Sequence, residues 1–516
     1  MKYIIVTGGV TSSLGKGVTA ASIGRLLVSK GFKVNMKKFD PYLNVDPGTL
    51  SPCQHGEVFV TEDGGEADLD LGHYERFVDI NLNRDSDITT GKIYRKILED
   101  ERKGIYLGST VQVIPHVTDE IKRRIYQNNG NADVTIAEIG GTVGDIESLP
   151  FLEAARQIKN EIGQDNVIYV HVALVPTVIS EVKTKPVQHS VKELRSIGIQ
   201  PDILICRTEK YGCLTDALKQ KISMFCNVEV DAVIENHNVT TIYELPKLFY
   251  ETGLDDIIIK KLCLPERETE LGEWSDIGYR IRALIPTKKT VSIVGNYTTS
   301  PDAYLSVIEA VKHACLAVRH EVDIAMIEAD ELEEWNPVAE VLDPYDGIII
   351  VDSLDKKGFE SKIKAVSWAR DRNIPCFGIC QGMQAMIAET VVSENFRINR
   401  SEAVNDVLDQ IEGSVRLGNH SCHLTPGSKT AEIYGIADIT ERYRNRYKIK
   451  SSCSNLLHHS DLLISGTSSD ASVIETVERK DHHWFIGCQF HPEFKSRPDR
   501  PHPLFKSFVE AVLKEG

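Results

Sequence analysis

Residues Tyr3 to Gly31 read YIIVTGGVTSSLGKGVTAASIGRLLVSKG, and the fold class follows from them. Tyr3–Thr7 is a short apolar run rich in β-branched residues, which predicts a buried strand. Gly8–Gly17 follows as a glycine-rich turn, and from Val18 the pattern is helical. A strand, a glycine loop and a helix in that order open a parallel α/β sheet. The glycines let backbone N–H groups close around phosphate oxygens, and the helix N-terminus adds partial positive charge. Lys16 is placed to reach β- and γ-phosphates. A glycine-rich βα turn with no ligand is the plainer alternative.

Two features depart from the usual phosphate loop. Five residues, not four, separate Gly9 from Gly15, and Gly17 stands where a Ser or Thr hydroxyl ordinarily holds magnesium. Magnesium is held by one or two carboxylates together with phosphate oxygens and water. The carboxylates must then come from elsewhere. Asp68-Leu69-Asp70-Leu71-Gly72-His73 and the strand end Glu138-Ile139-Gly140-Gly141 supply them. An isolated D-L-D is also an ordinary solvated turn.

The same alternation continues outward. Val34–Phe39, Val134–Glu138, Val167–Val175 and Ile203–Arg207 read as further buried strands, each followed by turn residues and a helical pattern. Pro265–Lys289 is charged and carries two prolines, and reads as a linker. A second α/β series follows, with strands at Val291–Val294, Asp323–Ile327, Gly347–Val351, Cys376–Ile379 and Trp484–Phe490. The last helix starts near Leu504, and Phe505, Phe508, Val509, Val512 and Leu513 fall on one face of it. The expected organisation is two doubly wound parallel-sheet domains, 1–264 and 290–516, joined by 265–289.

Composition bounds the function. Of 516 residues, 41% are hydrophobic and 26% charged, as in ordinary globular proteins. The charge is 59 − 75 = −16, which excludes nonspecific nucleic-acid binding through bulk positive charge. The eleven cysteines show no C-x-x-C, so reduced thiols in a cytoplasmic protein are expected. MKYIIVTGG already reads as a strand and leaves no room for a signal peptide. The longest apolar stretch, Val167–Ile179, carries His171 and Pro176 and is too short to span a bilayer.

A second chemical signature lies in the second half. The strand Cys376–Ile379 runs into Gly378-Ile379-Cys380-Gln381-Gly382, the thiol counterpart of a G-x-S-x-G elbow. Far downstream stands Gln489-Phe490-His491-Pro492-Glu493. In an extended segment His491 and Glu493 point to the same side. Cys380, His491 and Glu493 then fit an acyl-transfer triad, with His491 as base and Glu493 orienting it. A buried structural cysteine is the alternative.

These runs together resemble the CTP synthase family over nearly the whole chain. The specific matches are Gly8–Gly17, Lys38–Thr49 (KFDPYLNVDPGT), Gln54–Val60, Asp68–Phe77 (DLDLGHYERF), Glu138–Pro150 and Lys183–Leu194 (KTKPVQHSVKEL). The second half resembles a class I glutamine amidotransferase through Cys380 and Phe490–Glu493. The resemblance implies that ATP phosphorylates O4 of UTP and that ammonia, made from L-glutamine in the second domain or supplied free, displaces the phosphate through an internal channel. It implies that Ser13, Leu14, Gly15, Lys16, Gly17, Val18 and Lys38 hold ATP phosphates, that Arg207 lies near the adenine, and that Asp70 and Glu138 hold Mg2+. Ser12, Asp145, Ile146, Glu147, Lys183, Thr184, Lys185, Pro186, Val187, Gln188 and Lys221 would bind UTP or the product CTP. Leu354, Gln381, Gln384, Glu402 and Arg446 would hold glutamine, and Pro52, His55 and Val58 would line the ammonia gate. GTP would act as allosteric effector, and four chains would assemble because each UTP site draws on several subunits. No nucleic acid or membrane partner is implied.

The departures from the family pattern are local. Val187 replaces a Thr, and two residues are missing near Pro176–Glu181. Asn296 replaces a lysine tied to the GTP response. The family's G-G-F-G loop and R-G-x-E-G lid are rewritten over Asp352–Lys362, so that Ser353, Leu354, Asp355 and Lys356 occupy the oxyanion loop. Asp355 would set a carboxylate near the developing oxyanion, and one donor should remain in the Gln381 N–H. The expected activity is CTP formation with a weakened glutaminase. The alternatives are an ammonia-only enzyme and a non-catalytic nucleotide-binding subunit.

Overall fold

The computed structural model describes residues 1–9, 14–127, 131–179, 181–332, 338–353, 357–394, 407–410, 415–450 and 452–514. The chain forms two compact units: Met1–Pro47 with Asp70–Ile281, and Gly48–Leu69 with Arg282–Gly516.

The first unit is built on a seven-stranded sheet ordered Val233–Asn236, Ile203–Arg207, Val167–Leu174, Lys2–Gly9, Val134–Ile139, Val34–Asp40, Asp87–Thr89. Every pairing in it is parallel. Lys2–Gly9 is central because its residues are apolar on both faces, and Ile4, Ile5 and Val6 are fully buried. The chain crosses from one side of this strand to the other between Val134–Ile139 and Val167–Leu174. The carboxyl ends flanking such a switch are where α/β sheets bind ligands. Asp87–Thr89 and Val233–Asn236 are strands the sequence pattern did not single out, being three and four residues long.

The second unit has a nine-stranded sheet. Asp323–Glu328, Thr290–Gly295, Gly347–Ile350, Cys376–Ile379 and Phe485–Cys488 are parallel, as the pattern predicted. Ile474–Arg479, Leu462–Ser468, Arg416–Leu424 and Asp438–Asn445 extend it antiparallel. These four are half-polar and lack the continuous apolar run by which a doubly buried strand is read. The closing helix is Pro503–Leu513, and its Phe505, Phe508, Val509 and Val512 are buried.

The units do not divide where composition suggested. Residues 265–281 fold onto the first unit: Trp274 is buried against Phe77 and Tyr243, and Lys30 donates to the Arg267 carbonyl. Charge and proline marked this segment as a linker, but Trp274 and Ile277 bury it. Gly48–Leu69 belongs to the second unit. Phe59 is fully buried against Phe494 and under the Arg442 guanidinium, and Arg442 Nη1 donates to the Val60 carbonyl at 3.2 Å. Ser306 N–H donates to Glu57 at 2.7 Å, placing a carboxylate at the N-terminus of the helix Leu305–Val318.

Candidate active sites

The first site lies at the carboxyl ends of the central strands. The helix Lys16–Ser29 starts after Gly15, whose φ of 81° lies in the left-handed region that glycine adopts freely. Lys16 Nζ donates to the Gly141 carbonyl at 2.7 Å. Burial lowers the Lys16 pKa, against the pull of Glu138. Lys38, at the end of Val34–Asp40, lies 3.3 Å from Glu138 and 3.8 Å from Asp40, and ion-pairs with Asp70 at the start of the helix Asp70–Val78. Burial raises the Glu138 pKa, and Tyr74 donates to its second oxygen. Burial acts the same way on Asp70, but the Lys38 ammonium outweighs it and holds that carboxyl below its ordinary value.

Gly17 explains the missing hydroxyl. A Cβ at this position would come within 1.9 Å of Asp70 Oδ1. The carboxylate therefore occupies the place from which a Ser or Thr would reach a metal. Asp70 and Glu138 converge on one cationic atom, Lys38 Nζ, so the residues present fit a divalent cation.

At the end of the strand Lys2–Gly9 runs a buried polar chain. Thr7 Oγ1 and His171 Nδ1 are 2.9 Å apart, and His171 Nε2 and Ser190 Oγ 2.7 Å. Burial pushes the His171 pKa down to about 3, so the ring is neutral. Ser190 lies in the helix Lys185–Ser196, and a Cβ on Gly9 would come within 1.9 Å of its hydroxyl. The end of the phosphate strand is thus packed directly against the helix that carries the K-T-K-P run. Lys185, Pro186, His189 and Ser190 line an open recess of about 420 Å³.

The other residues singled out in this half are distributed as follows. Thr184 is buried and accepts from Gln188 Nε2 at 3.1 Å, whereas Lys183 pairs with Glu181 at 2.5 Å. Val187 is fully buried and faces the core. Asp145 accepts from the Thr142 N–H at 3.0 Å, while Ile146 and Glu147 are exposed beside it. Lys221 is an exposed residue of the helix Asp216–Cys226. Arg207 ends its strand and donates to the His237 carbonyl and to Asn238 Oδ1, each at 2.8 Å. Ser12 and Ser13 lie outside the described residues, as do Leu354, Asp355, Lys356 and Glu402.

The second site lies in the second unit. Cys380 sits at φ 53°, a left-handed conformation that holds the thiol at a sharp strand-to-helix turn. The flanking glycines are dictated by space: a Cβ on Gly382 would come within 2.1 Å of the Ile350 carbonyl, and one on Gly378 within 2.6 Å of Gly382. His491 Nδ1 lies 2.7 Å from Glu493 Oε1. The two do not share a side of an extended segment. Pro492–Lys495 is a 3-10 turn, which curls Glu493 back under the ring. Burial works against a charged His491, but Glu493 and hydrogen bonding to Cys380 outweigh it and hold the ring pKa well above its ordinary value.

Three residues near the thiol escaped the sequence reading. Asn445 Nδ2 donates to Cys380 Sγ at 3.3 Å and to the Gln489 carbonyl at 2.7 Å. Lys362 is fully buried, and its Nζ donates to Gln381 Oε1 at 2.9 Å, as does Ser353 Oγ. Asp352 brings a carboxylate to the thiol: ligand atoms of Asp352, Cys380 and His491 all lie within 4.8 Å of one another. The sequence pointed to Asp355 for such a carboxylate; among the described residues it is Asp352. Gln384 Nε2 donates to the Tyr447 carbonyl at 3.3 Å, and Arg446 Nη2 to the Gly48 carbonyl at 2.9 Å. Pro52 and Val58 line a small cavity with Asp352, His491 and Glu493. His55 is exposed and is not among its lining residues.

The family model described as CTP synthase N-terminus matches residues 2–264, and that of class-I glutamine amidotransferases matches 299–511. The chain belongs to the CTP synthase family. A CTP synthase of Carboxydothermus hydrogenoformans is 52% identical, covering 99% of this chain and 99% of that one. A CTP synthase of Bacillus subtilis is 49% identical with the same coverage. Among solved structures, the glutaminase domain of the Trypanosoma brucei enzyme with bound acivicin is 28% identical, covers 44% of this chain and 95% of its own, and superposes with a TM-score of 0.41. The chain is therefore a ligase, and its second half carries the glutamine amidotransferase domain. No helix among the described residues is long and apolar enough to cross a membrane.

Proposed function

We propose that this chain aminates UTP to CTP with ATP, uses free ammonia well and glutamine poorly, and responds weakly to GTP. The observation that carries the first part is the convergence of Asp70 and Glu138 on Lys38, in the unit that also carries Lys16. A buried and a partly buried carboxylate with a lysine at the end of a phosphate loop suit ATP and its metal. Asp70 and Glu138 would hold Mg2+, which supplies charge neutralisation on the phosphates. Lys16 exchanges the Gly141 carbonyl for a phosphate oxygen, and Lys38 offsets the charge that develops on the transferring group. The helix at Lys185 and the residues Lys183–Gln188, Asp145–Glu147, Ser12 and Lys221 would hold UTP. Its packing on Gly9 supports a short path between the two nucleotides. Gly15, Gly17, Val18, Leu14 and Ser13 would wrap the ATP phosphates, and Arg207 would face the base.

In the second unit His491 takes the Cys380 proton, Glu493 holds the ring, and Asn445 donates to the sulfur. Gln381, Gln384, Arg446, Leu354 and Glu402 would hold glutamine. Ammonia released there enters the cavity lined by Pro52 and Val58. The weak link is Asp352. A carboxylate beside the thiol repels the thiolate and the oxyanion of the tetrahedral intermediate, where donors are needed. The weak GTP response is read from Asn296, whose Nδ2 donates to the Lys357 carbonyl at 3.1 Å and so ties down the rewritten lid. We further assign the chain to the cytoplasm, as a tetramer. The test is CTP formation from UTP and ATP, run with ammonium and with glutamine, each with and without GTP. Equal rates from the two donors, or several-fold stimulation by GTP, would refute the corresponding part.

A further inference from the structure

We propose that Asp352, Cys380 and His491 form a site for a thiophilic divalent cation, Zn2+ foremost, and that the bound ion blocks the thiol from glutamine. Their ligand atoms lie within 4.8 Å of one another, and Cys380 and His491 are only 5% and 2% exposed. A thiolate, an imidazole and a carboxylate are the three ligand types that zinc takes. The thiolate selects against magnesium and calcium, which want oxygen alone.

The imidazole is already set for this role. Its Nδ1 is held by Glu493 at 2.7 Å, which turns Nε2 toward the thiol. Nε2 is buried, and its hydrogen bonding to Cys380 already brings it to the sulfur. A carboxylate behind a histidine is also the usual support of a metal-bound imidazole. Asp352 is anchored through its backbone: Tyr304 Oη donates to its carbonyl at 3.1 Å and accepts the Asn296 N–H at 3.0 Å.

Zinc ligands at about 2.0–2.3 Å from the metal stand roughly 3.3–3.8 Å apart in a tetrahedron. The three atoms, none more than 4.8 Å from another, therefore need to close by at most about 1–1.5 Å. Asp352, His491 and Glu493 face a cavity of about 50 Å³. That volume holds one water, whose share of liquid is about 30 Å³, as the fourth ligand. Binding displaces the protons held on Cys380 Sγ and His491 Nε2, which pass to the buffer, so affinity falls as pH falls. The sulfur lone pair and Nε2 are then both committed, and neither attack on glutamine nor proton transfer remains possible.

The full chain, free of glutamine, is titrated with Co2+ and then with Zn2+. Co2+ should give a near-ultraviolet thiolate charge-transfer band with the strong visible bands of a four-coordinate ion, and Zn2+ should displace it. Cys380→Ser should lose that band, which separates it from the exposed thiols Cys53 and Cys263. Asp352→Asn and Asp352→Ser should each weaken Zn2+ binding by about tenfold or more, as even the loss of an outer partner does. One equivalent of Zn2+ should protect Cys380 from iodoacetamide in the native chain and not in these variants, with melting curves confirming that they fold. A Co2+ band that survives Cys380→Ser, or Zn2+ affinity unchanged in both Asp352 variants, overturns the site.

Discussion

The Asp70 carboxylate lies over Gly17 so closely that a Cβ there would come within 1.9 Å of its Oδ1. By this geometry a glycine and a distant aspartate would together do what one hydroxyl does in an ordinary phosphate loop. Gly17→Ser, which brings the loop toward the usual pattern, should therefore damage the enzyme. We expect ammonium-dependent CTP formation to fall at least tenfold, with a higher magnesium requirement. Measuring the rate across a magnesium titration checks this; a Ser variant as active as the parent would mean that Asp70 moves aside freely.

Lys38 balances a buried carboxylate, Glu138, and a partly buried one, Asp70. Lys38→Met leaves Asp70 and Glu138 facing each other without that ammonium, and breaking a buried pair in this way costs about 3–5 kcal/mol. The first unit should unfold at lower denaturant in a chelator and regain much of the loss with millimolar Mg2+. Chemical denaturation with and without the metal reads this directly. A loss that magnesium does not relieve would count against a shared metal at these carboxylates.

Lys16→Ala should nearly abolish CTP formation from ammonium, because a phosphate-loop lysine neutralises charge during phosphoryl transfer. Its effect on folding should be small, since among the described residues its hydrogen bond is to the Gly141 carbonyl. A variant that keeps most of its activity removes the phosphate-loop assignment.

Asp352 is expected to limit the glutaminase. Losing one oxyanion donor costs on the order of 10² to 10³ in rate, and a misplaced carboxylate acts in the same direction. In a chelator, Asp352→Asn should raise kcat/KM for glutamine hydrolysis and leave ammonium-dependent CTP formation unchanged. An unchanged or lower glutaminase rate in that variant would locate the weakness elsewhere in the loop.

His171 carries a pH dependence of known sign. Its pKa is about 3 in the fold, below the ordinary value of 6.5, because burial disfavours the charged ring. Below pH 6.5 the unfolded chain binds a proton that the folded chain refuses. The stabilisation is therefore complete above pH 6.5 and is lost as pH falls, by about 1.4 kcal/mol per pH unit. His171→Asn should flatten that slope in the first unit. Urea midpoints at pH 7.5 and 5.5 for both proteins test it, and parallel losses would exclude His171 as the source.

Much of both sites was legible because their motifs are local. Gly15–Gly17 at the start of a helix, and Cys380 between two glycines, are runs whose spacing maps straight onto backbone geometry. The tight approaches of Gly9 to Ser190 and of Gly382 to the Ile350 carbonyl show why those glycines are there. The His491–Glu493 pair was found by proximity, yet its geometry came from a 3-10 turn that proline imposes and that a period-two reading does not anticipate.

By itself, then, the sequence determined the alternating α/β architecture, the glycine-flanked start of the first helix, the thiol elbow and the histidine–glutamate pair. These depend on contacts within a turn or two of chain. Tertiary structure alone decided the rest. Gly48–Leu69 joins the second unit because Phe59 is buried against Phe494 and Arg442, far along the chain. It also brought Asp70 over Gly17, Asn445 to the sulfur and Asp352 beside Cys380. Such meetings are set by which apolar faces are buried together, and residue spacing carries no record of them.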